Sequence, residues 1–298
     1  MTDPAFDSAA RRSEPDKTGP MMPSSADRMN QPEWQAPAGT PPFSALGIYR
    51  SLSGESGMSA HLPSLGVHAK RYERLMQAVM HLRASIGRDD IRVLDVGPWW
   101  QTALLRRVDG LRVDTLGLGP TAPAIDRPRP GEQYYQQDLN KAVHEDYRSD
   151  LPQYDMVIMA EVLEHLPMAP THLLRRIRRH VRPGGYLILT TPNGVALNKR
   201  FRMIRGRVPY TLISENPMYP SHFREYTVAE LQSFAAATGF QPVSCRITDD
   251  WYWRYNPSLA AVSGARGLRN RFAIRIHEAV GATLPDSMKQ SIVMVLTC

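Results

Sequence analysis

The residues with most chemical potential in this chain are two histidines, a few carboxylates and a block of arginines. His222 follows Pro217-Met-Tyr-Pro-Ser221, a proline-rich loop placed to close over a bound molecule. Histidine is the side chain best suited to proton transfer near neutrality. Glu225, three residues on, is positioned to orient that ring. His165 is a second candidate base, although a histidine opening a helix more often serves structure. Asp95, Asp138 and Glu161 stand at or just after apolar runs. There a carboxylate either meets a cationic ligand or caps a turn. Glu161 is marked further, because an unpaired carboxylate behind a buried strand is costly.

These groups depend on the elements that hold them. Tyr72, Leu75, Val79 and Leu82 recur at helical spacing through Ser85, and Gly87 is placed to stop that helix. Ile91 to Val96 reads as a short strand ending at Gly97, followed by a helix from Gln101 and a strand over Leu111–Leu118. Tyr134–Gln137 and Tyr154–Ala160 read as further strands, the latter with the unbroken apolar character of a strand buried on both faces. Leu173, Leu174, Ile177 and Val181 form one face of the next helix. Pro183-Gly-Gly185 is expected to end it, before a strand over Tyr186–Thr190. Thr227-Val-Ala-Glu230 is a capping-box sequence, its helix stopping at Gly239. Pro242–Ile247 and Ser291–Thr297 supply two last strands. Such alternation predicts a doubly wound, seven-stranded, mostly parallel α/β sheet with the last strand antiparallel. In that architecture ligands bind at the carboxyl ends of the strands, where strand order reverses.

The chain has 298 residues, 25 of them proline, and two cysteines, too few for a disulfide framework or a Cys-rich zinc site. No metal ligand set is assigned. No apolar run is long enough to span a bilayer and no secretory signal opens the sequence, so a cytoplasmic protein is expected. Residues 1–66 hold nine prolines and no sustained periodicity, and read as a flexible tail ahead of a 67–298 domain. Phe43, Leu46, Ile48 and Tyr49 are its candidates for docking on that domain. Within the domain, 194–226 reads as an insert or lid, and 248–290 as an extension before the last strand. Trp251-Tyr-Trp253 and Tyr255 in that extension either pack over the domain edge or stack on an acceptor.

The net charge is +7, yet Thr171–Arg207 carries ten Lys/Arg and no acid, leaving −3 on the rest. Arg175 to Arg179 read equally well as a solvated helix face. Lys199-Arg-Phe-Arg-Met-Ile-Arg-Gly-Arg207 is more suggestive, because apolar side chains interleave with cations. Phosphates of a lipid-linked sugar, an anionic membrane surface or RNA all suit such a segment. No nucleic-acid-binding module is recognisable, which disfavours RNA.

Three stretches taken together carry a family resemblance. They are Ile91-Arg-Val-Leu-Asp-Val-Gly97, Tyr154-Asp-Met-Val-Ile-Met-Ala-Glu-Val-Leu-Glu-His-Leu166 and Val181-Arg-Pro-Gly-Gly-Tyr-Leu-Ile-Leu-Thr-Thr-Pro-Asn193. In order and spacing they resemble the class I S-adenosylmethionine-dependent methyltransferases. Gln137-Asp138 and His222-Phe-Arg-Glu-Tyr-Thr-Val-Ala-Glu-Leu231 extend the resemblance, the latter to members that methylate small molecules, lipids and sugars. The resemblance implies S-adenosylmethionine as cofactor, bound near Asp95, Gly97, Gln101, Asp138, Ala160 and Glu161. It implies His222, His165 and Glu225 as catalytic candidates, and Arg202, Arg205 and Tyr226 as acceptor contacts.

Two positions depart from the family pattern. Gly97 is followed by Pro98-Trp-Trp-Gln101 rather than by further glycines, and Gly119 stands where an acid usually ends the second strand. Trp99 and Trp100 either stack on the ligand or fill its pocket. The expected activity is methyl transfer to a hydroxyl of a sugar, lipid-linked or other small acceptor. The rivals are an RNA methyltransferase and a non-catalytic binding protein whose cofactor pocket the tryptophans block. A dinucleotide oxidoreductase is disfavoured, since no G-x-G-x-x-G follows the first strand.

Overall fold

A computed structural model describes residues 47, 48, 52, 62–119, 127–144, 146, 147, 150–210, 212–216, 221–248, 283 and 285–298. The proline-rich loop 217–220 and the aromatic cluster at 251–255 lie outside them, as does most of the 1–66 segment.

In chain order the elements are α1 (Leu62–Ile86), β1 (Ile91–Val96), α2 (Trp100–Leu105), β2 (Leu111–Gly117), β3 (Tyr134–Gln136), β4 (Tyr154–Ala160), α3 (Pro170–Arg178), β5 (Val181–Pro192), α4 (Leu197–Ile204), α5 (Val228–Ala237), β6 (Gln241–Thr248) and β7 (Ser291–Thr297). The seven strands form one sheet in the order β3-β2-β1-β4-β5-β7-β6. Pairs from β3 through β5 are parallel, and β7 runs antiparallel to both β5 and β6.

Strand residues alternate between two apolar clusters, one on each face, as the period of two requires. Val93, Met156, Ile158, Ile188, Val293 and Val295 meet α1 and α2 through Tyr72, Leu75, Met76, Trp100 and Leu104. Leu94, Val157, Met159, Leu187, Leu189, Met294 and Leu296 face the other way, toward Leu173, Leu174 and Ile177 of α3 and Leu231 of α5. Every residue of β4 is buried, because helices cover both of its faces. Ile48 and Leu52 are also buried in the first cluster, so the packed domain reaches back at least to Ile48, within the stretch read as a tail.

One expected boundary moves. α3 ends at Arg178 and β5 begins at Val181, so Pro183-Gly-Gly185 lies inside the strand as an irregularity. Gly184 sits at φ +71°, and a Cβ on Gly185 would meet the carbonyls of Arg182 and Asp155 at 2.9 and 3.0 Å. The glycines therefore permit a bulge here rather than ending a helix. The expected capping box does open α5: the Thr227 side chain accepts from the Glu230 N–H, and the Glu230 carboxylate accepts from the Thr227 N–H at 2.9 Å.

Candidate functional site

β1 and β4 are neighbours, with β2 and β3 lying to one side and β5, β7 and β6 to the other, so strand order reverses between them. The turns leaving these two strands line the crevice at that point. Gly97 opens the first at φ +74°, and a Cβ there would stand 2.8 Å from Val162 Cγ2, so the two turns touch.

The Pro98–Gln101 segment is braced from within. Thr102 Oγ1 donates to Asp95 Oδ2 at 2.6 Å. Gln101 Nε2 donates to the Gly97 carbonyl at 2.9 Å and to Asp95 Oδ1 at 3.3 Å. Asp95 and Gln101 are both buried, so they shape the turn. Trp100 is wholly buried in the first cluster, a core side chain, and half-buried Trp99 packs beside it with ring centroids 6.4 Å apart. Asp138 caps the 3-10 segment Leu139–Val143, accepting from Asn140 N and Nδ2 at 3.0 and 2.9 Å. At the end of β2, Tyr134 OH donates to the Gly119 carbonyl at 2.8 Å, and no carboxylate lies between Thr115 and Gly119. Asp114 is buried against Arg92 Nη2 and Tyr154 OH, both at 3.0 Å, and is structural.

The turn after β4 is richer. Ala160 ends the strand, and Glu161 follows at φ +58°, a conformation unusual for a side-chain-bearing residue. Its carboxylate accepts from Thr190 Oγ1 and pairs with Arg71 Nη1, both at 2.9 Å. Glu164, fully buried, accepts from Thr191 Oγ1 at 3.0 Å through Oε2, and among the described residues no donor reaches its Oε1. Burial and the nearby Glu161 charge hold its carboxyl well above the usual range.

A second segment docks on this turn. The Glu164 carbonyl accepts from Phe223 N at 2.7 Å, and Ser221, at φ +65°, turns its carbonyl to His165 Nδ1 at 2.8 Å. The His165 and His222 rings meet edge to face with centroids 4.8 Å apart. His222 Nδ1 lies 3.0 Å from Glu225 Oε1. Burial and the adjacent His165 push His222 down to about 4, so its ring is neutral at pH 7. Lys199 pairs with Glu225 and donates to the Asn193 carbonyl at 2.9 Å; burial pushes it down to about 8.

The fold thus gathers Glu161, His165, His222 and Glu225, all expected from the sequence. Arg202 and Arg205 are exposed on and just beyond α4. Tyr226, expected to contact an acceptor, is instead buried in the second cluster with its ring edge-on to Phe234 at 5.9 Å. Residues missed as site members are Arg71, Thr190, Thr191, Glu164 and Lys199. The three-residue spacing of Glu161 and Glu164 was a usable signal, whereas Arg71 on α1 carried none.

Comparison with known proteins places these residues in context. A family model described as "Methyltransferase domain" matches residues 67–245, more than half of the chain. The chain is similar to the ubiquinone biosynthesis O-methyltransferase of Aeromonas salmonicida (strain A449), 33% identical over 106 residues, covering 34% of this chain and 43% of that protein. It is also similar to the acetylserotonin O-methyltransferase of Mus musculus, 30% identical over 129 residues, covering 42% of this chain and 30% of that protein. The matches thus span less than half the length of either relative. Among solved structures, a SAM-dependent methyltransferase from Archaeoglobus fulgidus aligns over 75% of this chain and 93% of its own, with TM-score 0.44 and 17% identity. An S-adenosylmethionine-dependent methyltransferase from Mesorhizobium loti aligns over 72% and 94%, with TM-score 0.43 and 16% identity.

Proposed function

The chain belongs to the methyltransferase-domain family, and from that premise we propose that it transfers the methyl group of S-adenosylmethionine to a hydroxyl oxygen of a small or lipid-linked acceptor. One observation carries the oxygen reading: a neutral, carboxylate-oriented imidazole, His222 on Glu225 at 3.0 Å, stands beside the turn at the switch point. An amine attacks a methyl group unaided, whereas a hydroxyl must lose its proton. The names of the two curated relatives, both O-methyltransferases, support the same choice.

The residues present fit the cofactor in part. Gly97, exposed and lacking a Cβ, lets backbone approach a ligand at the crevice. Glu161, half-buried at the same crevice and paired with Arg71, is the carboxylate that would meet an ammonium group after the buried Ala160. When bound, the cofactor supplies an electrophilic methyl carried on a sulfonium. Gln101 and Asp95 hold the Gly97 turn in shape. His222 Nε2 takes the acceptor proton while Glu225 holds Nδ1–H, and His165 packs against the ring to fix its plane. Positioning supplies the remainder, since methyl transfer is an in-line displacement.

The acceptor's anchoring is read from α4. Phe201, Met203 and Ile204 are 50%, 49% and 80% exposed, and Val208, Leu212 and Ile213 continue the apolar surface. Arg202, Arg205 and Arg207 interleave with them. A short basic, amphipathic face of this kind suits an anionic membrane surface that presents a lipid-linked acceptor. No helix among the described residues is long and apolar enough to cross a membrane.

The test is calorimetric titration with S-adenosylmethionine and S-adenosylhomocysteine, followed by labelled methyl transfer to a panel of hydroxyl and amine acceptors. Micromolar cofactor binding with label on oxygen is expected. Absence of cofactor binding would refute the reading and favour the binding-protein alternative.

A further inference from the structure

Glu164, His165 and His222 each place one ligand-type atom so that the three lie within 4.8 Å of one another. Their hydrogen bonds show what those atoms are. His165 Nδ1 faces the Ser221 carbonyl at 2.8 Å, and a carbonyl can only accept, so Nδ1 carries a proton and Nε2 is the nitrogen left to ligate when the ring is neutral. His222 Nδ1 faces the Glu225 carboxylate at 3.0 Å, with the same consequence. Glu164 Oε1 is buried and no donor among the described residues reaches it, its other oxygen being engaged by Thr191. The three residues thus bring ligand-type atoms within 4.8 Å of one another beside a buried carboxylate oxygen that no donor reaches among the described residues. Buried acceptors without a donor are rare in folded proteins and call for an explanation.

A bound cation explains all three. Metal-ligating histidines characteristically donate their other ring N–H to a carbonyl or carboxylate, which fixes the tautomer and ring orientation. Both partners are present here, one of each kind. We propose that Glu164, His165 and His222 form a binding site for a divalent first-row transition cation, with the remaining coordination positions open. Two imidazole nitrogens favour zinc, iron, nickel or copper over magnesium or calcium, which prefer oxygen ligands. The charged groups facing the cluster are Glu161 and Glu225 on one side of the balance, and Arg71 and Lys199 on the other. A bound cation would displace the Glu164 proton, and the carboxylate so formed would balance part of its charge.

The consequence for catalysis rests on the hydroxyl-acceptor reading. The acceptor oxygen takes an open position, a metal–oxygen bond forms, and the O–H bond breaks with its proton leaving to water. The metal then does the work otherwise assigned to His222, because a bound divalent ion lowers the pKa of a ligated hydroxyl at neutral pH.

The full chain, stripped with chelator, is titrated with nickel and zinc by calorimetry, and cobalt is followed by its visible d–d absorption. One equivalent of micromolar binding and nitrogen-ligated cobalt bands are expected. Glu164→Gln and His222→Gln should each weaken binding at least tenfold while the thermal transition persists. No saturable binding by the wild-type chain, or equal affinity in both variants, overturns the site. The cobalt spectrum needs no variant, so a misfolded mutant leaves the proposal testable. S-adenosylhomocysteine is titrated into the same metal-free protein. Binding there without metal binding retains the methyltransferase reading and discards this one; metal binding without cofactor binding does the reverse. Methyl transfer that survives chelation overturns the metal's catalytic role.

Discussion

Replacing Gly97 by alanine tests whether the crevice is built as described. Gly97 sits at φ +74°, where an L-residue pays roughly 1–2 kcal/mol. An added Cβ would also lie 2.8 Å from Val162 Cγ2. Carbon atoms settle near about 3.5–4.0 Å, so one of the two turns must yield by close to an ångström. Overpacking of this kind costs about 1–3 kcal/mol. Alanine recovers about 0.4–1 kcal/mol by restricting the unfolded chain. The net loss is therefore about 2–4 kcal/mol, measured by urea denaturation with linear extrapolation. Val162→Ala removes the colliding methyl, so in the Gly97→Ala background it should restore the clash component and leave the backbone component. A double-mutant cycle should show coupling of about 1–3 kcal/mol. If the two losses add within about 0.5 kcal/mol, the turns after β1 and β4 are not in contact and the crevice is wrongly drawn.

The remaining expectations address acid stability, chemistry, capping and the basic face. Burial, aided by Arg71, holds His68 down at about 3, and burial with His165 holds His222 at about 4. Both must gain protons on unfolding, so stability should fall as pH drops from about 6.5 toward those values, and His68→Gln should flatten this limb of the urea midpoint. Burial would raise the Asp155 carboxyl, but the Arg92 N–H at 2.9 Å and the Arg182 and Arg88 guanidiniums outweigh it and hold it low. That contribution is present above the ordinary carboxylate range and lost as pH falls through the folded value, so Asp155→Asn should remove a second loss seen below about pH 4. His222→Gln should lower turnover at least tenfold with S-adenosylhomocysteine affinity unchanged; full turnover would take His222 out of the mechanism. Thr227→Ala removes the cap of α5 and should cost about 1 kcal/mol by denaturation, a loss below a few tenths contradicting the box. Arg202→Glu with Arg205→Glu should abolish salt-sensitive co-sedimentation with anionic vesicles, and equal binding to zwitterionic vesicles would refute the membrane contact.

The sheet was legible because its strands are short apolar runs whose ends carry their own punctuation. Tyr154–Ala160 has the expected limits because covering both faces demands an unbroken apolar run. Pro183-Gly-Gly185 misled, since glycines that permit a bulge look like glycines that stop a helix, and only the carbonyls of Arg182 and Asp155 distinguish them. At the site, His222 and Glu225 were visible as a close pair in sequence. Arg71 was not, because its partner Glu161 is 90 residues away and nothing local in α1 predicts the ion pair. Lys199 was hidden by company: among ten cations from Thr171 to Arg207, only the fold shows that this one turns inward to Glu225. Gln101 and Asp95 were read as ligand contacts; what the fold adds is that Gln101 donates to Asp95 and to Gly97 and Thr102 donates to Asp95, bracing a segment without further glycines.

What separates a site from ordinary packing here is the concentration of costs. Among the described residues, three non-glycines have positive φ: Asp90, Glu161 and Ser221. Asp90 lies in the connection before β1, whereas Glu161 and Ser221 belong to the two facing turns. Each such conformation costs of order 1–3 kcal/mol and persists only where its surroundings enforce it. The same turns hold a fully buried carboxylate with one oxygen lacking a donor. A sequence shaped by stability alone would place glycine at both strained positions and an apolar residue at Glu164. The ordinary core offers no gain from these features, since its apolar clusters close on both faces without them. Arg71 and Thr190 offset part of this cost at Glu161, and a cation shared by Glu164, His165 and His222, as proposed above, would offset more.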